Sequence, residues 1–334
     1  MNLCSLNKKW DAPRLIRLDV VDSDSEDNHS ETATSVNIER PYRILVPIAN
    51  PNSQRGLVQL AAAIAFNNMR TAIVNPLSLI ELPEDYAYDG TPAEAEKMIQ
   101  SQRLELEGLI QGLEPPSIRA DVHPIIRISN NVARETAQIA AIEQADLILV
   151  GWHRPAFSTN RLGGRVGQIL TTVNTDVAVF IDRGEERLEN LLVPYSANIH
   201  DDLALMLALR LLVNKDTCNL QILRVITAKE NKKELSYEVQ TMMEQLPSTV
   251  CDRININTTE AIEPIQAVVE ASAAADLTIA GTSRAWGIER QTLGRYTDEL
   301  AIQCRSSLLI TRRYSQVTAH LSSVLAEIQP EVIL

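Results

Sequence analysis

Basic residues are in short supply: 31 Lys and Arg stand against 43 Asp and Glu, leaving a net charge of -12 over 334 residues. That deficit argues against a nucleic-acid binder, whose hold on phosphates comes from Lys and Arg. It argues equally against general adhesion to an anionic lipid surface. Cysteine is sparse too. Cys4, Cys218, Cys251 and Cys304 are far apart and form no Cys-x-x-Cys pair. They read as four reduced thiols, with neither a disulfide frame nor a zinc site. The five histidines contain no His-x-x-x-His pair, so no metal site is expected. Aromatics make up 4% of the chain, which predicts a core built from Leu, Ile, Val and Ala. Long apolar runs are missing. The nearest, "LALMLALRLLV" from Leu203, is broken by Arg210 and falls short of the ~20 residues that a membrane helix needs. The start, "MNLCSLNKKWDAP", has no apolar stretch of the signal-peptide kind, so a soluble chain is expected.

What is present is an internal repeat. "ADLILVG" ends at Gly151 and "ADLTIAG" ends at Gly281, an offset of 130. Glycines at Gly164 and Gly294 keep that offset, as do the β-like runs from Asp176 and Ser306. The front ends, "RILVPIANP" from Arg43 and "NLLVPYSAN" from Asn190, also match. Within each copy, short apolar runs alternate with helical stripes such as Leu57, Leu60, Ala61 and Ile64, or Leu205, Ala208, Leu209 and Leu212. Such alternation implies right-handed crossovers and an α/β fold with a doubly wound parallel sheet. Two separate sheets, one per copy, are expected, with Gly151 superposing on Gly281 and Gly164 on Gly294.

The ends differ from this body. Residues 19–39 hold many acids and no Lys or Arg, so residues 1–40 are expected to be a disordered acidic segment. The two repeated domains are placed at 41–184 and 188–313. The remaining 314–334 form a helical tail, with Val317, Leu321, Val324 and Ile328 on one face.

The stretches "RILVPIANP", "ADLILVGWHRP", "LGGRVGQIL" and "DVAVFIDRG" resemble the universal stress protein family. Paired with "LLVPYSANIHDDLALMLALRLL" and "TIAGTSRAWGIERQTLG", they resemble the tandem of such domains at the cytoplasmic end of bacterial cation/proton antiporters. The resemblance implies two tandem Rossmann-like, adenine-nucleotide-hydrolase-like domains without a catalytic role. It implies a cytoplasmic place, at the membrane face through a transporter domain or subunit or, as the alternative, free-standing in the cytosol as a nucleotide-binding universal stress protein, with a homodimer as a further assembly. The implied ligand is ATP, another adenine nucleotide or another small anion. The implied mechanism is a change in how the two halves pack, passed to the membrane partner.

Relatives that bind ATP carry Gly-x-x-Gly, nine residues, then Gly-Ser or Gly-Thr, because the glycines permit a sharp turn and the helix start attracts phosphate. Here Gly151 and Gly164 (with Gly163 beside it) keep the spacing, but Arg154 replaces the second glycine and Arg165 the hydroxyl. The second copy reads Gly281, Arg284, Gly294 and Arg295. The family's acid after the first strand is replaced by Ala49 and Ser196, and Asn50 is a candidate ribose contact. Two readings stand: a degenerate loop whose arginines face water or pair with acids, or an arginine-ringed hollow that holds an anion by charge. His153 is the sole titratable base in the first loop and aligns with Ser283, so catalysis is not expected. His200, Asp201 and Asp202 read as helix-start residues that suit the positive end of the dipole.

Overall fold

The computed structural model describes residues 40–50, 54–65, 72–81, 91–115, 121–152, 164–184, 187–226, 235, 237–282 and 295–314. The acidic segment at 19–39 and the helical tail after Tyr314 lie outside these residues. Arg40, placed by the sequence in the disordered segment, is ion-paired with Asp146.

The first half runs β1 (Tyr42–Ile48), α1 (Arg55–Ala65), β2 (Ala72–Ile80), α2 (Pro92–Gln111), β3 (Ile125–Ile128), α3 (Val132–Ile142), β4 (Leu147–Gly151), α4 (Gly164–Thr172) and β5 (Asp176–Ile181). The second runs β6 (Asn190–Pro194), α5 (Ile199–Asn214), β7 (Asn219–Ile226), α6 (Tyr237–Gln245), β8 (Ile254–Glu260), α7 (Pro264–Ala271), β9 (Leu277–Gly281), α8 (Arg295–Gln303) and β10 (Ser307–Arg312). Local chemistry fixes several helix starts. Thr91 and Glu94 form a capping box before α2, with Pro92 in the first turn, and the Asn131 side chain accepts from the Arg134 amide at α3. These side chains satisfy amides that no helical carbonyl can reach. The central strands, such as β4 and β5, are buried on both faces. This is why they read as unbroken apolar runs without alternation.

The strand order is β3-β2-β1-β4-β5-β10-β9-β6-β7-β8, a single ten-stranded sheet. Each half contributes five parallel strands in the same relative order. The expectation of two separate sheets is thereby corrected: β5 and β10 pair antiparallel from Leu308↔Ile181 to Arg312↔Val177 and join the halves. The cause is the edge problem. Taken alone, each half would end on an apolar strand with unpaired backbone groups, a template for pairing. Each edge here satisfies the other. The ends are closed reciprocally: the Arg183 amide donates to Ser307 Oγ at 3.1 Å, and the Tyr314 amide donates to Asp176 Oδ1 at 2.6 Å.

A second correction concerns the repeat. Trp152 donates its amide to the Phe180 carbonyl and Thr282 to the Thr311 carbonyl. The donors are 130 residues apart, the acceptors 131. Helix ends agree: Val173 bonds back to Ile169, and Cys304 to Leu300. The second copy has gained one residue between β9 and α8, so Gly164 corresponds to Arg295, not to Gly294.

Helices cover both faces. One face carries α1, α2, α5 and α6 over a core that spans both halves. The other carries α3, α4, α7 and α8 over a second spanning core. Helix α5 is buried from Asp201 through Leu212, which accounts for its apolar residues all round. Arg210 lies within it, fully buried. Its Nε donates to the Ile64 carbonyl at 3.1 Å, and its guanidinium stacks 3.7 Å from the Tyr42 ring centroid. Asn214 Nδ2 donates to the Ala63 and Ile64 carbonyls. Two side chains of the second half thus cap the carbonyl end of α1 in the first.

Cys218 and Cys304 are free and buried; burial pushes the Cys218 thiol up to about 11. Cys251 is disulfide-bonded, so the expectation of four reduced thiols fails there. Sequence spacing does not report which sulfurs fold to within bonding distance.

Candidate functional site

In an open parallel sheet, ligands enter beyond the carboxyl ends of the strands, where the connections diverge to opposite faces. The switch points here lie between β1 and β4 and between β6 and β9.

At the first, β1 ends on Ile48 and the exposed Ala49 and Asn50 follow. Gln54, just before α1, folds back so that its Oε1 accepts from the Ala49 amide at 2.8 Å and the Asn50 amide at 3.1 Å. Across the crevice stands Gly151 at the end of β4. A Cβ there would lie 2.9 Å from Gln54 Nε2 and 3.4 Å from Leu57 Cδ2. Asn50 and Gly151 are therefore brought together, with Gln54 between them. Gly164 opens α4 and is exposed. Arg165, one residue on, is ion-paired through Nη2 with Glu81 Oε2 at 2.5 Å, both side chains largely in water. Of the two readings of the arginines, the pairing with an acid is the one the structure shows for Arg165. An exposed pair of this kind contributes about 0–1 kcal/mol. Arg154, Gly163, Arg284 and Gly294 lie outside the described residues, as does His153. Arg295 is the first residue of α8. Trp152 is buried in the core beneath α4, the bland outcome for a loop tryptophan.

The second switch point differs. Asp201 is the counterpart of Gln54, five residues past Ser196 as Gln54 is five past Ala49. Its Oδ2 accepts from the Ser196 amide at 2.8 Å, the Ser196 hydroxyl at 2.6 Å and Asn198 Nδ2 at 2.7 Å. A Cβ on Gly281 would strike Asp201 Oδ1 and the Asp201 amide nitrogen, and would stand 2.5 Å from the His200 carbonyl carbon. The backbone of α5 therefore rests directly on the end of β9. Only glycine permits that approach. The protein's own carboxylate takes the place where an anion would meet the helix start. Burial pushes the Asp201 carboxyl up to about 6, against the opposing pull of the Ser196 hydrogen bonds. Neighbouring Asp202 accepts the Tyr195 hydroxyl at 2.6 Å. His200 is tied to β10: its carbonyl accepts from Thr311 Oγ1 at 2.8 Å, and its Nδ1 from the Arg313 amide at 3.0 Å.

Sequence reasoning assigned Asp201 only a helix-dipole role and passed over Gln54. Aligning the two strand ends residue by residue would have placed them in one position and drawn attention to both.

A parallel α/β sheet with glycine-ended strands at its switch points defines the class, and comparison with known proteins agrees. Residues 42–180 match the Universal stress protein family. Over 278 residues the chain is 23% identical to the Na(+)/H(+) antiporter NhaS5 of Synechocystis sp. (strain ATCC 27184 / PCC 6803 / Kazusa), covering 80% of this chain and 38% of that protein. The chain thus spans well under half the length of that relative. Among solved structures, a universal stress protein from Archaeoglobus fulgidus DSM 4304 superposes with a TM-score of 0.56 at 18% identity, covering 81% of this chain and 96% of that one. The likeness is one of fold and extends past the first half. A universal stress protein in complex with cAMP matches 41% of this chain and 95% of its own at 16% identity, with a TM-score of 0.28. That similarity is too slight to carry its ligand here. No helix among the described residues is long and apolar enough to cross a membrane.

Proposed function

We propose that this chain is a non-catalytic regulatory module of the universal stress type that acts on a cation/proton antiporter at the cytoplasmic face of the membrane. The observation that carries this reading is the extent of the antiporter similarity. At 278 residues it is longer than either half, which supports reading the two halves together rather than one alone. The domain limits proposed are 41–184 and 188–313.

Repacking of one half against the other is a poor route for the signal. A shared sheet, two spanning cores and the buried Arg210 contact bind the halves into one body. A nucleotide or other small anion, ATP or another adenine nucleotide first, is proposed for the first half only, near Asn50, Gly151, Gly164 and Gln54. In the second half, Asp201 and the α5 backbone fill the corresponding crevice. The fold likeness to a universal stress protein over 96% of that protein's chain supports a second reading, a free-standing nucleotide-binding protein of the cytosol.

One experiment separates the two. The chain is tagged in its native cells and captured from membranes, and cation/proton exchange is measured in inverted vesicles with and without residues 40–314. Capture of a transporter, with exchange altered by the deletion, is expected. A chain found only in the soluble fraction, with exchange unchanged, would leave the free-standing reading. A thermal-shift screen with ATP, ADP, AMP, cyclic dinucleotides and NAD tests the ligand, since a compound that binds only the folded state raises its stability.

A further inference from the structure

Among the described residues the sheet ends on β3 and β8. An outer strand turns the N–H and C=O of every second residue away from the sheet. Which residues these are follows from the bonds on the inner side. At β8 the Leu220 amide donates to the Arg253 carbonyl, and the Ala261 amide donates to the Ile226 carbonyl. Along the register Leu220↔Ile254 to Ile226↔Glu260, the odd-numbered residues therefore bond to β7. The backbone groups of Ile254, Ile256, Thr258 and Glu260 point outward. At β3 the His123 amide donates to the Val74 carbonyl and the Ser129 amide to the Ile80 carbonyl, which turns Pro124, Ile126 and Ile128 outward.

The two edges are defended unequally. Strand β3 has four residues, includes Arg127, and follows Pro124, which has no N–H to offer a newcomer. Strand β8 has seven residues, ININTTE, with no proline and no charge before its last residue. The contrast falls on equivalent positions. Ile44 pairs with Val74 and Leu147, as Leu191 pairs with Leu220 and Leu277. Val74 meets Val122 and Leu220 meets Ile254, so Pro124 is the counterpart of Ile256. The first half blocks its edge at the place where the second half presents a free donor. In a chain of net charge -12, β8 is a strip along which a second acidic chain can approach.

We propose that β8 is the surface through which two copies of this chain associate, strand against strand and antiparallel about Asn257. A two-fold axis between the strands stands perpendicular to the sheet, so facing residues differ by an even number. Centred on Asn257, the pairing sets Ile256 against Thr258 and Ile254 against Glu260, all with outward backbone groups. Four such residues per copy, each with one N–H and one C=O, give eight hydrogen bonds with none left over. Centred on Ile256, it would set Glu260 against Asp252, two exposed acids, which is unfavourable. The strand is thus complementary to itself in one register. The molecule already joins equivalent strands this way: β5 and β10 pair antiparallel through five residue pairs, and the new contact continues the same sheet by the same device. The contact is isologous and closes on itself, because the remaining edge, β3, is blunted.

Sedimentation equilibrium of the whole chain tests this, at about 0.3 M salt to screen repulsion between the copies. The mass is expected to rise from 37.0 kDa toward twice that value between micromolar and millimolar concentration. Thr258→Pro removes one outward N–H at an exposed residue, keeps the bonds to β7, and should hold the single-chain mass throughout. Ile128→Lys, on the other edge, should behave as wild type. Cross-linking reads the register. Asn257 faces its own copy in a pair without hydrogen bonds, its Cα atoms about 4.5 Å apart, within reach of a disulfide. Asn257→Cys is therefore expected to link two chains under mild oxidation, with wild type as the background for the native thiols. Asn255→Cys, displaced from its copy by roughly 13 Å along the strand, is not. A wild-type chain that stays single, a mass rise that survives Thr258→Pro or is lost in Ile128→Lys, or equal linking at 255 and 257 would overturn the proposal. An extended segment of another protein as the true occupant of β8 would give the first of these results. The wild-type masses and the cysteine variants decide even if Thr258→Pro fails to fold. No step uses the antiporter similarity: a single chain that captures a transporter refutes the dimer alone, and a dimer found only in the soluble fraction refutes the antiporter reading alone.

Discussion

The two halves share strand order and crevice position, yet they end their crevices differently. The first places a neutral, partly exposed amide, Gln54, beside Gly151; the second presses a buried acid, Asp201, and helix backbone onto Gly281. The helices that follow diverge in step. Helix α1 presents one apolar side, whereas α5 is buried for most of its length and carries Arg210 into the junction. Duplication of a fold thus preserves the backbone plan while the site changes. A repeated motif is consequently weak support for a repeated function.

The largest test addresses the junction. Arg210→Ala should lower unfolding free energy by about 3–5 kcal/mol, because it removes a buried, stacked, hydrogen-bonded group. Urea unfolding reads this directly, and a loss under 1 kcal/mol would mean that the halves hold together without it. Next come the paired glycines. Gly281→Ala should cost roughly 2–3 kcal/mol, because its Cβ meets backbone; Gly151→Ala should cost under about 1 kcal/mol, because Gln54 can swing aside. Equal costs in the two variants would erase the distinction drawn between the crevices.

Acidity gives a subtler contrast. The raised Asp201 value means that wild type is favoured at low pH and loses ground to Asp201→Asn between pH 4 and pH 7. The difference is on the order of 2–3 kcal/mol. Unfolding curves of the two proteins across that window check the sign; Gln54→Glu, the first-half counterpart, sits in a more open place and should show a smaller dependence. Smallest of all, Arg165→Gln should change stability by less than about 0.5 kcal/mol, since the pair with Glu81 is exposed. If Arg165 serves an anion instead, calorimetry at low salt would show weaker ATP binding in the variant.

Much of the fold was legible in the sequence. Apolar runs and helical stripes marked strands and helices, because a sheet covered on both faces demands them. The joining of the halves was not legible: it depends on two edges meeting in space, and neither β5 nor β10 names its partner. The inserted residue before α8 escaped notice because "LGGR" and "LGR" align at either offset. That slip made Arg165 and Arg295 look equivalent, when helix register equates Arg295 with Gly164. Asp201 was visible as an acid at a helix start, but the burial and contacts that distinguish it arise only when β9 closes against it.

The antiparallel seam between β5 and β10 also gives the molecule a polarity. Since every other neighbouring pair is parallel, the carboxyl ends of β1 and β4 emerge from one rim of the sheet and those of β6 and β9 from the opposite rim. The Gln54 and Asp201 crevices consequently face away from each other. A flat partner such as a membrane-embedded protein can lie against one rim and leave the other turned to the solvent. Docking through the second half would therefore keep the first-half crevice at Gln54 and Gly151 accessible from the far side.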